Sequence, residues 1–155
     1  MKRRSYHLSH ALSLLIEASL ECREFASLRA SIKDKGYLDQ YCTITMGTSR
    51  RAGHTTALVK AAKGFFSKPL FVTPNEGMLQ NIKDVVDDLG LKEDMKEAKF
   101  VSAEQIKRSY ARGIDCDAIL VDMAFGLSSG QREAIREHAM ACLPSHPDFC
   151  LIYVQ

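Results

Sequence analysis

The sequence predicts an α/β fold: a single three-layer domain on a mostly parallel five-stranded sheet, with a helical extension at the N-terminus. Three observations predict it. Short apolar runs recur five times between residues 41 and 154, continuous rather than alternating, as strands covered on both faces require. Segments with helical spacing separate them. Three of those helices open on a hydroxyl followed three residues later by Glu or Gln. Regular alternation of strand and helix implies parallel neighbours joined by right-handed crossovers. The chain divides into an extension over residues 1–40 and an α/β domain over residues 41–155.

Composition bounds the class. A chain of 155 residues, 46% apolar and 26% charged, can bury one core and is not a disordered polymer. The net charge of +2 does not by itself point to nucleic acid. Cys22, Cys42, Cys116, Cys142 and Cys150 form an odd set without Cys-x-x-Cys spacing. That predicts free thiols in a reducing, cytoplasmic compartment and argues against a zinc or disulfide framework. No signal-peptide pattern opens the chain. Ser9, His10, Ser13, Glu17 and Ser19 interrupt the apolar stretch from Leu8 to Leu20, so no membrane partner is expected.

Taken in order, Lys2-Arg3-Arg4 predicts a solvated, disordered start. From about Ser5 to Ile32 the stripe Leu8, Leu12, Leu15, Ile16, Leu20, Phe25, Leu28 and Ile32 predicts one long helix or two, ending near Gly36 and packing on the sheet or its edge. Gly36 to Tyr41 reads as a loop. Its Tyr37, Gln40 and Tyr41 lie where many nucleotide-binding domains hold the base, although packing is the simpler role.

The first strand, Tyr41 to Met46, leads into Met46-Gly47-Thr48-Ser49-Arg50-Arg51-Ala52-Gly53-His54-Thr55-Thr56, and helical spacing follows from Ala57. Strand, glycine-containing loop and helix is the setting in which backbone N–H groups and a helix N-terminus bind phosphate. Gly53-His54-Thr55 falls where such a loop carries Gly-Lys-Ser/Thr. Thr48 occupies the place of the earlier glycine and His54 that of the lysine. Arg50 and Arg51 could supply the missing charge, and Thr55 is placed to put its hydroxyl on a magnesium ion. The alternative is an ordinary βα turn.

Four strands remain. Leu70–Thr73 leads into Thr73-Pro74-Asn75-Glu76, read as a capping box. Its helix buries Met78, Leu79, Ile82, Val85, Val86 and Leu89 and stops at Gly90. Phe100-Val101 leads into the box Ser102–Gln105 and a helix showing Ile106 and Tyr110 that stops at Gly113. Ala118–Asp122 is an apolar strand ending in an acid. The box Ser128–Gln131 opens a helix showing Ala134, Ile135, His138, Ala139 and Cys142 before Pro144, with His138 read as a packed core histidine. Phe149–Val154 is the last strand.

Asp122 completes the pattern, because a carboxylate at a strand end beside the Thr55 hydroxyl would make a hard oxygen site for one magnesium. With both segments in view, the chain resembles the P-loop NTPases, and among them the half-domain of RecA-like helicases and phage terminase ATPases. Thr48–Thr56 matches Walker A and Ile119–Asp122 matches Walker B. Leu70–Asn75 resembles the segment that touches single-stranded nucleic acid in helicases. Cys150–Gln155 resembles the sensor strand, which in that family lies between the two Walker strands. The resemblance implies that Thr48, Ser49, Arg50, Arg51, Ala52, Gly53, His54, Thr55 and Thr56 bind ATP or another NTP. It implies that Thr55 and Asp122 hold Mg²⁺, and that Asp122 and Gln155 face the γ-phosphate as catalytic groups. DNA or RNA, a protein partner or a second copy of the chain would be the partners, in the host cytoplasm if the protein is viral.

The departures set the expected activity. Met123 stands where that family places a catalytic Glu, and Glu133 and Glu137 lie on a helix instead. The Walker lysine is missing, a second half carrying an arginine finger has no counterpart in these residues, and a chain terminus at Gln155 would bring a carboxylate near the phosphates. Together these predict slow or partner-dependent hydrolysis. The alternative is a degenerate, non-hydrolysing module that binds a protein or nucleic acid. A small nucleotide kinase, with Lys107, Arg108 and Arg112 as its lid cluster, is the third reading.

Overall fold

The computed structural model describes residues 2–26, 35–47, 53–109 and 112–155. Helix α1 spans Lys2–Ala26 and a short helix α2 spans Lys35–Tyr37, running on as one π-type turn over Leu38–Cys42. Strand β1 (Thr43–Met46) precedes α3 (His54–Phe65) and β2 (Pro69–Thr73). A 3₁₀ turn at Glu76–Met78 feeds α4 (Leu79–Asp88), then β3 (Lys99–Ser102) and α5 (Ala103–Lys107). After β4 (Ala118–Val121) come a second 3₁₀ turn at Ala124–Gly126, α6 (Ser129–Cys142) and β5 (Cys150–Val154).

The five strands form one parallel sheet in the order β1-β5-β4-β2-β3. Burial follows from that order. β2, β4 and β5 are internal and buried at every residue, whereas the edge strands β1 and β3 carry exposed positions. Alternate side chains feed two cores, because successive strand residues point to opposite faces. Leu70, Val72, Ile119, Val121 and Leu151 pack beneath α5 and α6 with Ile106, Ile135 and Ala139. Phe71, Leu120, Ile152 and Val154 face α1, α3 and α4 with Leu12, Ile16, Leu58 and Ile82. The architecture is therefore three layers, with α1 added to the layer that holds α3 and α4.

Several local expectations are corrected. The basic tip Lys2-Arg3-Arg4 is not a disordered start; it is the first turn of α1. Within α1, Leu12 and Ile16 are fully buried but Leu15 is 44% exposed, so the stripe is narrower than its spacing suggested. The continuation through Leu28 and Ile32 lies outside the described residues. The loop before β1 is helical, and Tyr37 packs on Tyr41 with ring centroids 5.4 Å apart, while Gln40 is exposed. Thr73 does not cap a helix: its hydroxyl donates to the Asn75 carbonyl 2.7 Å away, and the chain turns once as 3₁₀ before α4. Pro74 withholds an N–H there and sets the turn. Helix α5 stops at Lys107 rather than near Gly113, with Ser109 in the left-handed region at φ 66°; Tyr110 lies outside the described residues. The capping boxes at Ser102 and Ser128 both form, each with reciprocal bonds to Gln105 and Gln131. Gly90, at φ +66°, ends α4 as expected. Its N–H and that of Leu91 reach back to the Asp87 and Val86 carbonyls, closing the helix end.

Candidate functional site

The sheet order puts three of the singled-out positions on one edge. All strands run the same way, so the ends of β1, β4 and β5 share the carboxyl side of the sheet, where ligands bind in open α/β folds. β5 lies between β1 and β4. Gln155, just past β5, donates its backbone N–H to the Met46 carbonyl at the end of β1 (3.0 Å), and its side chain is exposed. Asp122, just past β4, donates its N–H to the Val72 carbonyl of β2 (2.9 Å). The backbone ladder thus continues past both strands and holds these two residues at the rim.

Helix α3 begins at His54, one turn earlier than the apolar spacing alone suggests, so His54, Thr55 and Thr56 form its first turn. The N–H groups of a first turn have no carbonyl partner within their own helix. Gly53 caps this turn at φ 84°, ψ 35°, a left-handed conformation that any residue with a Cβ adopts at a cost. Its carbonyl accepts from the Ala57 N–H at 3.0 Å. Ala57, Leu58, Val59, Ala61 and Ala62 are buried, which fixes α3 on the sheet with its N-terminus at the carboxyl edge. Thr48, Ser49, Arg50, Arg51 and Ala52 lie outside the described residues.

Thr55 meets Asp122 there. The Thr55 hydroxyl donates to Oδ2 of Asp122 at 2.6 Å. Oδ1 of Asp122 accepts the N–H of Met123 at 3.0 Å. Asp122 is only 4% exposed, so its carboxylate is held by two donors in a dry setting and aimed at the first turn of α3. Met123 adopts φ 55°, ψ 44°, a left-handed backbone that a non-glycine residue takes only when its surroundings impose it. The following 3₁₀ turn is clamped by Arg132, whose Nη2 donates to the Ala124 carbonyl at 2.6 Å. The same guanidinium stands 5.5 Å from the ring centroid of Tyr153 on β5. Burial pushes the Tyr153 hydroxyl up to about 12, so it is a neutral donor across the physiological range.

Arg132 is the residue that sequence reasoning passed over. It sits in the first turn of α6, where an arginine reads as ordinary surface, and only the fold of the Ala124–Gly126 turn against that helix start, with Tyr153 of β5 alongside, gives it this role. The turns after β2 and β4 also approach closely, since a Cβ at Gly126 would stand 3.1 Å from Pro74 Cγ. The segment Leu70–Asn75 therefore ends beside the loop that follows Asp122. Phe125, on that loop, is 60% exposed. Glu133 is turned to ion pairs with Lys35 (2.7 Å) and Arg136 (3.0 Å), and Glu137 is exposed.

Thr55 and Asp122 fit a magnesium ion by their chemistry. Both are hard oxygen donors, they are already in contact, and magnesium is commonly held by one or two protein oxygens with water and phosphate completing its shell. No family model matches this chain, and no curated protein matches it either.

Proposed function

We propose that this chain binds a nucleoside triphosphate with magnesium at the carboxyl edge of its sheet, as a P-loop protein of the RecA-like helicase and terminase type working on or near nucleic acid. The observation that carries the reading is the 2.6 Å contact between Thr55 and Asp122, in the setting of a glycine-capped helix N-terminus. In this reading the N–H groups of the first turn of α3 bind phosphate oxygens, with the helix dipole favouring their charge. The Thr55 hydroxyl and the Asp122 carboxylate hold the hydrated cation, which neutralises phosphate charge when bound. In this reading Gln155, exposed at the rim past β5, would reach the γ-phosphate.

Hydrolysis needs a group that orients the attacking water. Met123 offers none, and Glu133 is engaged elsewhere, so turnover is slow or waits on a partner. A second reading, a module that binds a protein or nucleic acid without hydrolysis, is favoured by Met123 and by exposed Phe125. An aromatic face beside the site would stack a base or seat a partner.

Binding of a fluorescent ATP analogue with and without magnesium, on wild type and on Thr55→Ala, tests the first reading. Magnesium-dependent binding lost in the variant supports it. No binding at millimolar nucleotide overturns it and leaves the second.

A further inference from the structure

At the opposite edge of the sheet, three metal-binding side chains converge. Cys116 lies two residues before β4, and α6 runs back against the strands to end at Cys142. His138 and Cys142 are four residues apart on that helix and therefore share a face. The Cys116 and Cys142 sulfurs are 3.6 Å apart, Cys142 Sγ is 3.8 Å from His138 Nε2, and all three donor atoms lie within 4.8 Å of one another. Both cysteines are buried, whereas His138 is half-buried and opens the group to solvent.

We propose that Cys116, His138 and Cys142 form a zinc site, with a fourth position left to water. A tetrahedral zinc ion with ordinary Zn–S and Zn–N bonds separates two sulfurs by about 3.8 Å and a sulfur from an imidazole nitrogen by about 3.6 Å. The two measured edges, 3.6 and 3.8 Å, already match. The remaining edge closes with a side-chain adjustment on the order of an ångström. A disulfide is the simpler use of two cysteines, but it needs the sulfurs at about 2.05 Å and assigns nothing to His138. Two thiolates and an imidazole select a soft or borderline cation over magnesium. The ion would tie the entry of β4 to the end of α6. This site stands apart from the nucleotide reading, because Asp122 follows β4 and Cys116 precedes it.

The test uses the full chain, stripped with a chelator under reducing conditions and titrated with Co²⁺ as a spectroscopic stand-in for Zn²⁺. One equivalent should give a thiolate-to-cobalt charge-transfer band, and added Zn²⁺ should displace it. Zn²⁺ should also raise the melting temperature of wild type in proportion to the logarithm of its concentration. Cys116→Ser and Cys142→Ser should each remove most of the band, and His138→Gln, at a half-buried position that spares the fold, should weaken Co²⁺ affinity at least tenfold. Cys22→Ser should change nothing. Absence of the band at millimolar Co²⁺, or a band that survives in the Cys116→Ser/Cys142→Ser double variant, overturns the site. So does a wild type that binds no Co²⁺ but loses two titratable thiols on mild oxidation, which would assign the pair to a disulfide.

Discussion

The Thr55 hydroxyl and the Asp122 carboxylate are 2.6 Å apart, although 67 residues separate them in the chain. Three structural facts make the contact: the start of α3 at His54, the end of β4 at Val121, and the presence of a single strand, β5, between β1 and β4. Asp122→Asn keeps an oxygen for the Met123 N–H and a polar group for Thr55. Its fold should survive, with a stability change of about 1 kcal/mol or less. Magnesium-dependent binding of the ATP analogue should fall at least tenfold, read by fluorescence titration beside a thermal melt. Full retention of binding would show that Asp122 is only a loop anchor. Thr55→Ser, which keeps the hydroxyl, should restore what Thr55→Ala loses.

Gly53 and Gly64 should respond to alanine with opposite signs. Gly53 holds φ 84°, so Gly53→Ala should cost about 1–2 kcal/mol and lower the melting temperature by roughly 2–8 °C for a domain of this size. Gly64 lies within α3, and a Cβ there meets nothing within 4 Å. Gly64→Ala should stabilise by about 0.5–1 kcal/mol. Differential scanning calorimetry on the two variants decides the matter. Equal shifts of the same sign would contradict the capping geometry.

Arg23 should prove the tie that holds α1 to the rest. It is 4% exposed, and its guanidinium donates to the Tyr41 carbonyl (3.1 Å), the Pro147 carbonyl (3.3 Å), the Ser19 hydroxyl (3.0 Å) and Cys150 Sγ (3.1 Å). Arg23→Ala removes all four bonds, leaves the Ser19 hydroxyl as the donor to the Tyr41 carbonyl, and should cost about 2–4 kcal/mol, measured by urea denaturation. Arg23→Lys should recover less than half of that, because one ammonium cannot reach a forked set of acceptors. Full recovery by lysine would mean that charge alone is required.

Acid should act through Asp115 and Glu133. The hydrogen bond from His146, 2.6 Å away, and the nearby Lys68 hold the Asp115 carboxyl below its usual value. The hydrogen bond from Lys35 does the same for Glu133. A carboxyl whose folded value is depressed contributes stability that is full above its unfolded pKa, near 4, and is lost as pH falls through the folded value. Both groups are exposed, so the effect is small. Melting temperatures of wild type and of an Asp115→Asn/Glu133→Gln variant should differ at pH 6 and converge between about pH 4 and pH 2. A constant difference across that range would remove these pairs from the acid response.

What the sequence determined by itself is local. The apolar runs at 70–73 and 118–121, the capping boxes at Ser102 and Ser128, and the helix stop at Gly90 each express a preference settled within a few residues, and each is present in the fold. The 3₁₀ turn after Thr73 and the early end of α5 depart from those preferences, because turn geometry outweighs a propensity of a few tenths of a kcal/mol. Tertiary structure alone decided which distant residues meet. The pairing of Thr55 with Asp122 was expected from the resemblance to the Walker segments, but the strand order that makes the contact is encoded in no local spacing. The convergence of Cys116 with His138 and Cys142 was hidden for the same reason: metal-ligand spacing along the chain shows only ligands that are neighbours in sequence. Here α6 folds back across the sheet and delivers two of them to a third that lies 26 residues from Cys142. Long-range contact depends on register and layer, and those are set when the whole core closes.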